Sequence, residues 1–435
     1  VLKDRHQIFN NGLLIHTKFG WMYSGDTDCN ENKKTTLLSI SQQPSIEQQL
    51  EKFWTIEQCE QKGKLLTKEQ KICEEIFTTT TVRDGSGRYI VDLPFKSSYL
   101  NLGNNLNNAV IRFKSLENRF KRDAKYFHEY KKFINEYEEL GHMTELKNVI
   151  SPYESSYYLP HHGVVKEDST TTKLRVVFDA SCKSATDMSL NETLFIGPTV
   201  QPELYDIIIK FLTKPIALKA DIAKMYRQIL VNEAHRNYQR IIWRDNPHEK
   251  FKHFNLNTVT YGTSCAPYLA TRTLNQLSED YQHKHPDACE LIRSNFYVDD
   301  LLFTCDTVER SINLREELCE IFEKAGMSLR KWVSNNPEVL SSIPTSYLEK
   351  IEESSEIKAL GIIWNISSDT FSFKLNFKEK KSLTMAAVLS NIASIYDPIG
   401  WLGPIILTAK LFMKKLWSRH LDWKSTLPDD LCEEW

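Results

Sequence analysis

Paired cysteines, long apolar runs and an excess of positive charge are what this 435-residue chain lacks. Its nine cysteines are an odd number, and no two stand as Cys-x-x-Cys. That excludes a zinc-ribbon pattern and a disulfide framework and suits reduced thiols in a cytosolic or nuclear setting. The longest apolar candidate, Ile399 to Ala409, stops at Lys410, the length of a core segment, so no membrane span is expected. A count of 55 Lys and Arg against 57 Asp and Glu gives a net charge of −2. Phosphate-binding proteins usually carry a basic excess, so the overall charge argues against a nucleic-acid partner. Nothing at the N-terminus resembles a signal peptide, and the first residue is Val1, which reads as an internal piece of a longer product. At 41% hydrophobic and 26% charged, the chain is globular and long enough for two to four domains.

What is there is a charged pair in an unusual place. Tyr297-Val298-Asp299-Asp300 lies in the apolar frame 295–303, where strand alternation cannot bring two consecutive acids to solvent unless a tight turn splits the run. A buried carboxylate needs a cation, so the pair is read as a Mg²⁺ site at a hairpin tip; a solvated turn is the plainer reading. A third acid, Asp221, ends the apolar strand Pro215-Ile-Ala-Leu-Lys-Ala-Asp221. Three carboxylates from two strands are the donor set that holds two Mg²⁺ ions for in-line phosphoryl displacement.

The order Asp221, Tyr261-Gly262-Thr-Ser-Cys-Ala-Pro267, Tyr297-Val-Asp-Asp300, Leu360-Gly361 resembles the palm motifs of a reverse transcriptase. The stretches Tyr158-Leu-Pro-His-His-Gly-Val-Val-Lys166, Lys173-Leu-Arg-Val-Val-Phe-Asp-Ala-Ser181, Thr258-Val-Thr-Tyr-Gly-Thr263 and Ala393-Ser-Ile-Tyr-Asp-Pro-Ile-Gly400 are similar to the BEL/Pao class of long-terminal-repeat retrotransposon polyproteins. The resemblance covers nearly the whole chain. It implies an α+β right-hand polymerase with fingers, palm and thumb and a helical N-terminal extension, acting as an RNA-directed DNA polymerase in a cytoplasmic retroelement particle or the nucleus. Its partners would be an RNA or DNA template, a primer and dNTPs, with a protease upstream and RNase H and integrase downstream. The other class of function is a degenerate or host-adopted fragment that binds nucleic acid without catalysis.

On that resemblance, residues 1–25 are the tail of a retropepsin-like protease, 26–44 a linker, 45–150 a mainly helical extension, 151–378 fingers and palm, and 379–435 the thumb or the start of a connection, in the Pao region. The protease signature Asp-Thr/Ser-Gly is missing, since neither Asp26-Thr27-Asp28 nor Asp84-Gly85-Ser86 supplies it, so peptidase activity is not expected. Periodicity predicts helices over 45–77 and 105–140, the second ending at Gly141-His142, with a hairpin between them over Thr78 to Leu93.

The resemblance also assigns roles. Asp221, Asp299 and Asp300 hold the metals. Arg175 and Lys166 meet the triphosphate, with Lys173 competing for the second place; the plainer role of Arg175 is an ion pair with Asp179. Tyr226 is the steric gate against a ribose 2′-hydroxyl, although any buried aromatic suits that position. Gly262 lets backbone approach the nucleotide, and Tyr261 and Pro267 face the template. Tyr297 meets template or primer, and the Leu360-Gly361 pair resembles the primer grip, equally explained as a hairpin turn. Lys331 is either the general acid for leaving pyrophosphate or a plain surface lysine. His161-His162 lacks partners at zinc spacing and reads as a turn. Finally, Arg112, Arg119, Lys121, Arg122 and Lys125 lie mostly off an apolar face formed by 113, 116, 120, 124 and 127. Such a basic face either tracks a phosphate backbone or is simply solvated.

Overall fold

A computed structural model describes residues 66–147, 156–165, 174–351, 355–373 and 383–435, together with four strands within the first 65 residues. The chain divides into two units, Val1–Leu65 and Leu66–Trp435. In the first, β1 (Asp4–Ile8), β2 (Gly12–Thr17), β3 (Gly20–Ser24) and β4 (Leu38–Ile40) form an antiparallel sheet in that order. β4 falls inside the segment expected as linker; three residues are too few to show periodicity in sequence.

The second unit begins with α1 (Lys68–Thr80), which starts at a capping box of Thr67 and Gln70. The threonine run expected in a hairpin instead closes this helix, with Thr78, Thr79 and Thr80 bonding back to carbonyls one turn earlier. The hairpin is shorter than predicted, β5 (Val82–Arg83) and β6 (Tyr89–Val91) around the Asp84-Gly-Ser-Gly turn. The single helix expected over 105–140 is two, α2 (Leu106–Arg122) and α3 (Ala124–Glu139). Asp123 breaks them apart in extended backbone and caps α3 by accepting from Tyr126 N at 2.9 Å. The buried stripe accordingly passes from Phe113 and Leu116 to Tyr126, Tyr130, Ile134 and Tyr137. Gly141, at φ +70°, ends α3 with Gly141 N and His142 N donating to Glu138 O and Tyr137 O, a Schellman pair.

β7 (Met143–Glu145) joins a later sheet, and β8 (His161–Val165) pairs with β9 (Leu174–Phe178). The two histidines therefore lie in a strand and not a turn. His161 is buried, its Nδ1 2.5 Å from the Tyr130 hydroxyl and its Nε2 3.0 Å from Ile242 O, and burial pushes its pKa down to about 4. The short α4 (Leu190–Thr193) and α5 (Leu204–Phe211) lead into β10 (Ile216–Ile222), the central strand. Next come α6 (Met225–Gln228), β11 (Leu230–Val231), β12 (Arg240–Trp243) and β13 (Lys252–Leu256), with β12, β13 and β7 forming one sheet.

α7 (Ala266–Tyr281) is buried along most of its length and α8 (Pro286–Ser294) packs on it. β14 (Phe296–Tyr297) and β15 (Asp300–Cys305) form a hairpin, α9 (Val308–Glu323) crosses behind, and β16 (Leu329–Ser334) completes an antiparallel sheet of order β14-β15-β10-β16. β10 reads apolar because it is central: its first five residues are all buried, Lys219 included. β17 (Glu356–Ala359), β18 (Ile362–Asn365) and β19 (Thr370–Ser372) form a meander. α10 (Met385–Ser394), α11 (Gly403–Ser418) and α12 (Asp429–Glu434) share a separate cluster around Val388, Leu416 and Leu431. The mixed architecture is the expected α+β class. No helix among the described residues is long and apolar enough to cross a membrane.

Candidate active site at the tip of the central hairpin

The β14–β15 hairpin closes through Val298 and Asp299, with Tyr297 opposite Asp300. Val298 has φ +55°, a left-handed conformation that a β-branched residue rarely takes. Its amide donates to Gln201 Oε1 at 3.2 Å. β15 pairs with β10 so that Asp221 faces Asp300, and Ile222 N donates to Asp299 O at 2.9 Å. The register thus gathers the three acids from two strands.

Like charges directly opposite on a sheet are destabilising, and two lysines answer them. Lys331 Nζ stands 2.6 Å from Asp221 Oδ2, and Lys219 Nζ 3.2 Å from Asp300 Oδ1. Lys331 lies in a bulge where Lys331 and Trp332 oppose Ala220 alone, and its own φ is +53°. A bulge re-aims a side chain in this way. Burial opposes the charge of Lys331, but the bond to Asp221 holds its pKa above the ordinary lysine value. Lys331 is therefore not a plain surface lysine. Lys219 was not anticipated: alternation alone gives no sign that a strand lysine is buried, and its side chain is only 8% exposed.

Asp299 has its pKa raised, first by burial and then by Asp300 and Asp221. A fourth acid, Glu349, which the sequence did not single out, has its pKa raised by burial and drawn back by Lys331 and Lys219. Among the described residues, no three carboxylate, histidine or cysteine side chains converge as a ready ligand shell. The donor chemistry nevertheless fits a hard divalent cation: oxygen ligands only, with Asp299 in no ion pair among the described residues and the other two held by ammonium groups that a metal would replace.

Around this tip the structure sets out the remaining expected residues. On one side, Tyr226 is half-buried in α6, its pKa raised by burial and by Asp299, and its ring lies 6.5 Å from that of Tyr261. Tyr261 donates its hydroxyl to Val176 O at 2.6 Å and packs on Phe178 of β9. Gly262 has φ +108°, and a Cβ there would stand 2.2 Å from Phe178 O, so no other residue fits. Asn191 holds this loop, donating to Gly262 O at 3.1 Å and accepting from Ser264 N at 2.8 Å; a lone loop asparagine gives no sequence signal of that. Pro267 is exposed in the first turn of α7. Arg175 is exposed on β9, while Asp179 pairs with Arg112 at 2.5 Å and not with Arg175. Lys166 and Lys173 lie outside the described residues.

On the other side, Tyr297 and Leu360 pack in one apolar cluster with Trp364. Leu360 and Gly361, at φ +52° and +90°, are the two-residue turn of the β17–β18 hairpin. A Cβ on Gly361 would lie 2.4 Å from Tyr396 Cε1. Burial and then Tyr297 raise the pKa of Tyr396.

Residues 165–363 match the family model of the reverse transcriptase (RNA-dependent DNA polymerase), and residues 384–435 match that of the Pao retrotransposon-like RNaseH-like domain. The second match falls where a thumb or the start of a connection was expected. Among solved structures, the chain is similar to a foamy viral protease-reverse transcriptase in complex with double-stranded DNA, at 16% identity and a TM-score of 0.47. That likeness covers 70% of this chain and 45% of the viral one. No curated protein matches. The fold and the matched palm define the class, a reverse transcriptase domain, the RNA-dependent DNA polymerase type. With the second match following the first, the two together support a Pao-class Pol fragment.

Proposed function

We propose that this chain extends a primer along an RNA or DNA template with dNTPs, and that Asp221, Asp299 and Asp300 carry the chemistry. One observation carries this reading: the strand register that gathers three acids beneath a left-handed Val298. Charge and backbone strain brought together are characteristic of a site kept for function and not for stability. Two Mg²⁺ ions, held by Asp221 and Asp299 with Asp300 in support, would supply an acidified primer 3′-hydroxyl and a counter-charge for departing pyrophosphate.

The chain's own residues do the rest by positioning, as is usual in phosphoryl transfer. Lys331, protonated at Nζ beside Asp221, delivers the proton to pyrophosphate. Arg175, free of Asp179, engages the triphosphate through its planar fork, with Lys166 as its partner. Tyr226, between Asp299 and Tyr261, excludes a 2′-hydroxyl. Gly262 gives the nucleotide close access to backbone, Pro267 and the Tyr261 ring border the template, and Tyr297 with Leu360 and Gly361 support the primer end.

A second reading, nucleic-acid binding without catalysis, draws on the lysine pairs that occupy Asp221 and Asp300. The deciding experiment is dTTP incorporation on poly(rA)·oligo(dT) with Mg²⁺, beside an Asp299→Asn/Asp300→Asn variant. Incorporation by the parent, lost in the variant by at least about 10³-fold, is expected. Duplex binding by a parent that incorporates nothing would favour the second reading.

A further inference from the structure

The basic helix α2 takes no part in the site described above, and the fold gives it a definite position. Arg112, Ser115, Asn118, Arg119 and Arg122 line one side of a cleft of about 520 Å³, and His162 of β8 lies on the other. These α2 residues follow at helical spacing. A rise of about 1.5 Å per residue puts Arg112 and Arg119 about 10 Å apart along the axis, with Arg122 a further turn on. All three are exposed. Arg112 is held by Asp179, whereas among the described residues neither Arg119 nor Arg122 has a carboxylate partner. The acid on the far face of α2, Glu117, is buried and taken by Arg244 through two bonds of 2.8 Å. Tyr126 lies under the Arg119 guanidinium at 3.9 Å, which stiffens that side chain. Complementing the helix dipole accounts for basic residues in the last turn of α2. It accounts neither for Arg112, near the first turn, nor for a cleft shared with His162.

A chain of side-chain contacts also links the cleft to the site. The exposed face of the β8–β9 pair carries His162, Val164, Arg175 and Val177, and Asp179 at its end is the residue that Arg112 grips. From the carboxylates the path runs through Tyr226, Tyr261 and Phe178 to Asp179 and Arg112, then on to Arg119 and Arg122. The turn at Leu360 and Gly361 lies on the opposite side of the hairpin, against Tyr297. We propose that the cleft between α2 and β8 is a phosphodiester-binding subsite for single-stranded template that has yet to reach the carboxylates, with Arg119 and Arg122 as its free phosphate ligands. The identity of the strand rests on the polymerase reading; the binding of a phosphate backbone does not.

The test is fluorescence-anisotropy binding of the full chain to two primer–template probes, one blunt and one with a 5′ template overhang of about ten nucleotides, over a range of salt. An Arg119→Gln/Arg122→Gln variant is expected to bind the overhang probe about tenfold more weakly. Its salt slope should fall by roughly 1.4, about 0.7 for each single-strand phosphate contact. The blunt probe should bind unchanged, and Arg119→Lys/Arg122→Lys should keep most of the parent slope. Equal weakening on both probes, or none, overturns the subsite. So does displacement of the overhang probe by millimolar inorganic phosphate, which would mark a small-anion site. Overhang-dependent binding by a parent that incorporates no dTTP would sink the polymerase reading and leave the subsite standing.

Discussion

Two hairpins meet at this site, β14–β15 and β17–β18, and they close in similar ways. Each uses a two-residue turn whose first residue is apolar and left-handed, Val298 at φ +55° and Leu360 at φ +52°. They differ at the second turn position. After Leu360 comes Gly361, which takes φ +90° without steric cost, and the turn carries no ionisable group. After Val298 comes Asp299, beside Asp300 and opposite Asp221. A β-branched residue held left-handed costs on the order of 1–3 kcal/mol, and the adjacent like charges add to it. The first hairpin is therefore held against its own preferences by the ladder, by Gln201 and by two lysines, while the second has a glycine at one of its two left-handed positions and no charge to hold. Where one sheet region frustrates both backbone and charge and its neighbour strains only the backbone, at Leu360, the doubly frustrated one is the candidate for chemistry.

The comparison breaks most easily at the lysine. If Lys331 serves the reaction, Lys331→Met should lower incorporation by about 10²-fold with the fold intact by circular dichroism. If the lysine only neutralises Asp221, the same variant should destabilise the fold and leave the rate within a few-fold of the parent once Mg²⁺ is present. Next in size is Gly361→Ala in the second hairpin. The added Cβ would press Tyr396 at 2.4 Å in a backbone region closed to alanine, so a loss of about 2 kcal/mol in urea unfolding is expected. Gly361→Ala with Tyr396→Ala should recover part of that loss. An alanine tolerated at 361 without cost would mean that the second hairpin is not fixed in the way described.

The legibility of these regions in sequence follows the same division. The three acids were visible because charge interrupts apolar strands, a local signal that needs no tertiary knowledge. Their lysines were not. Lys219 looks like the solvent-facing member of an alternating strand until the sheet buries both faces of β10, and Lys331 reaches Asp221 only because a bulge turns it there. The break between α2 and α3 was hidden for a related reason. The apolar spacing at 113, 116 and 120 continues into 124 and 127, and only the cap at Asp123 shows that the helix restarts on a new face. The threonine run read as strand by propensity, yet its hydroxyls found helical carbonyls. Asn191 and Glu349 act at long range and leave no pattern in the chain.

The smallest expected effect is the most discriminating, because it separates the charge of the first hairpin from its chemistry. Asp299 binds its proton more tightly when folded than a free carboxylate does, by burial first and by Asp300 and Asp221 next. A raised acid contributes stability below the unfolded carboxylate value of 3.8, and that contribution is lost as pH rises through the folded value. The folded state then holds more protons than the unfolded one, so stability falls with rising pH across that window. Asp299→Asn cannot titrate. Without divalent metal it should match the parent near about pH 4 and exceed it in unfolding midpoint by a few degrees near about pH 7. Added Mg²⁺ should raise the parent's midpoint and leave the variant's nearly unmoved, since the cation offsets a charge that the variant lacks. A variant less stable than the parent at neutral pH, or a midpoint that rises with pH by the same amount in both, would show that Asp299 is already compensated in the fold. The contrast between the two hairpins would then lie only in the second turn residue and in a β-branched Val298 against Leu360 at the same left-handed position.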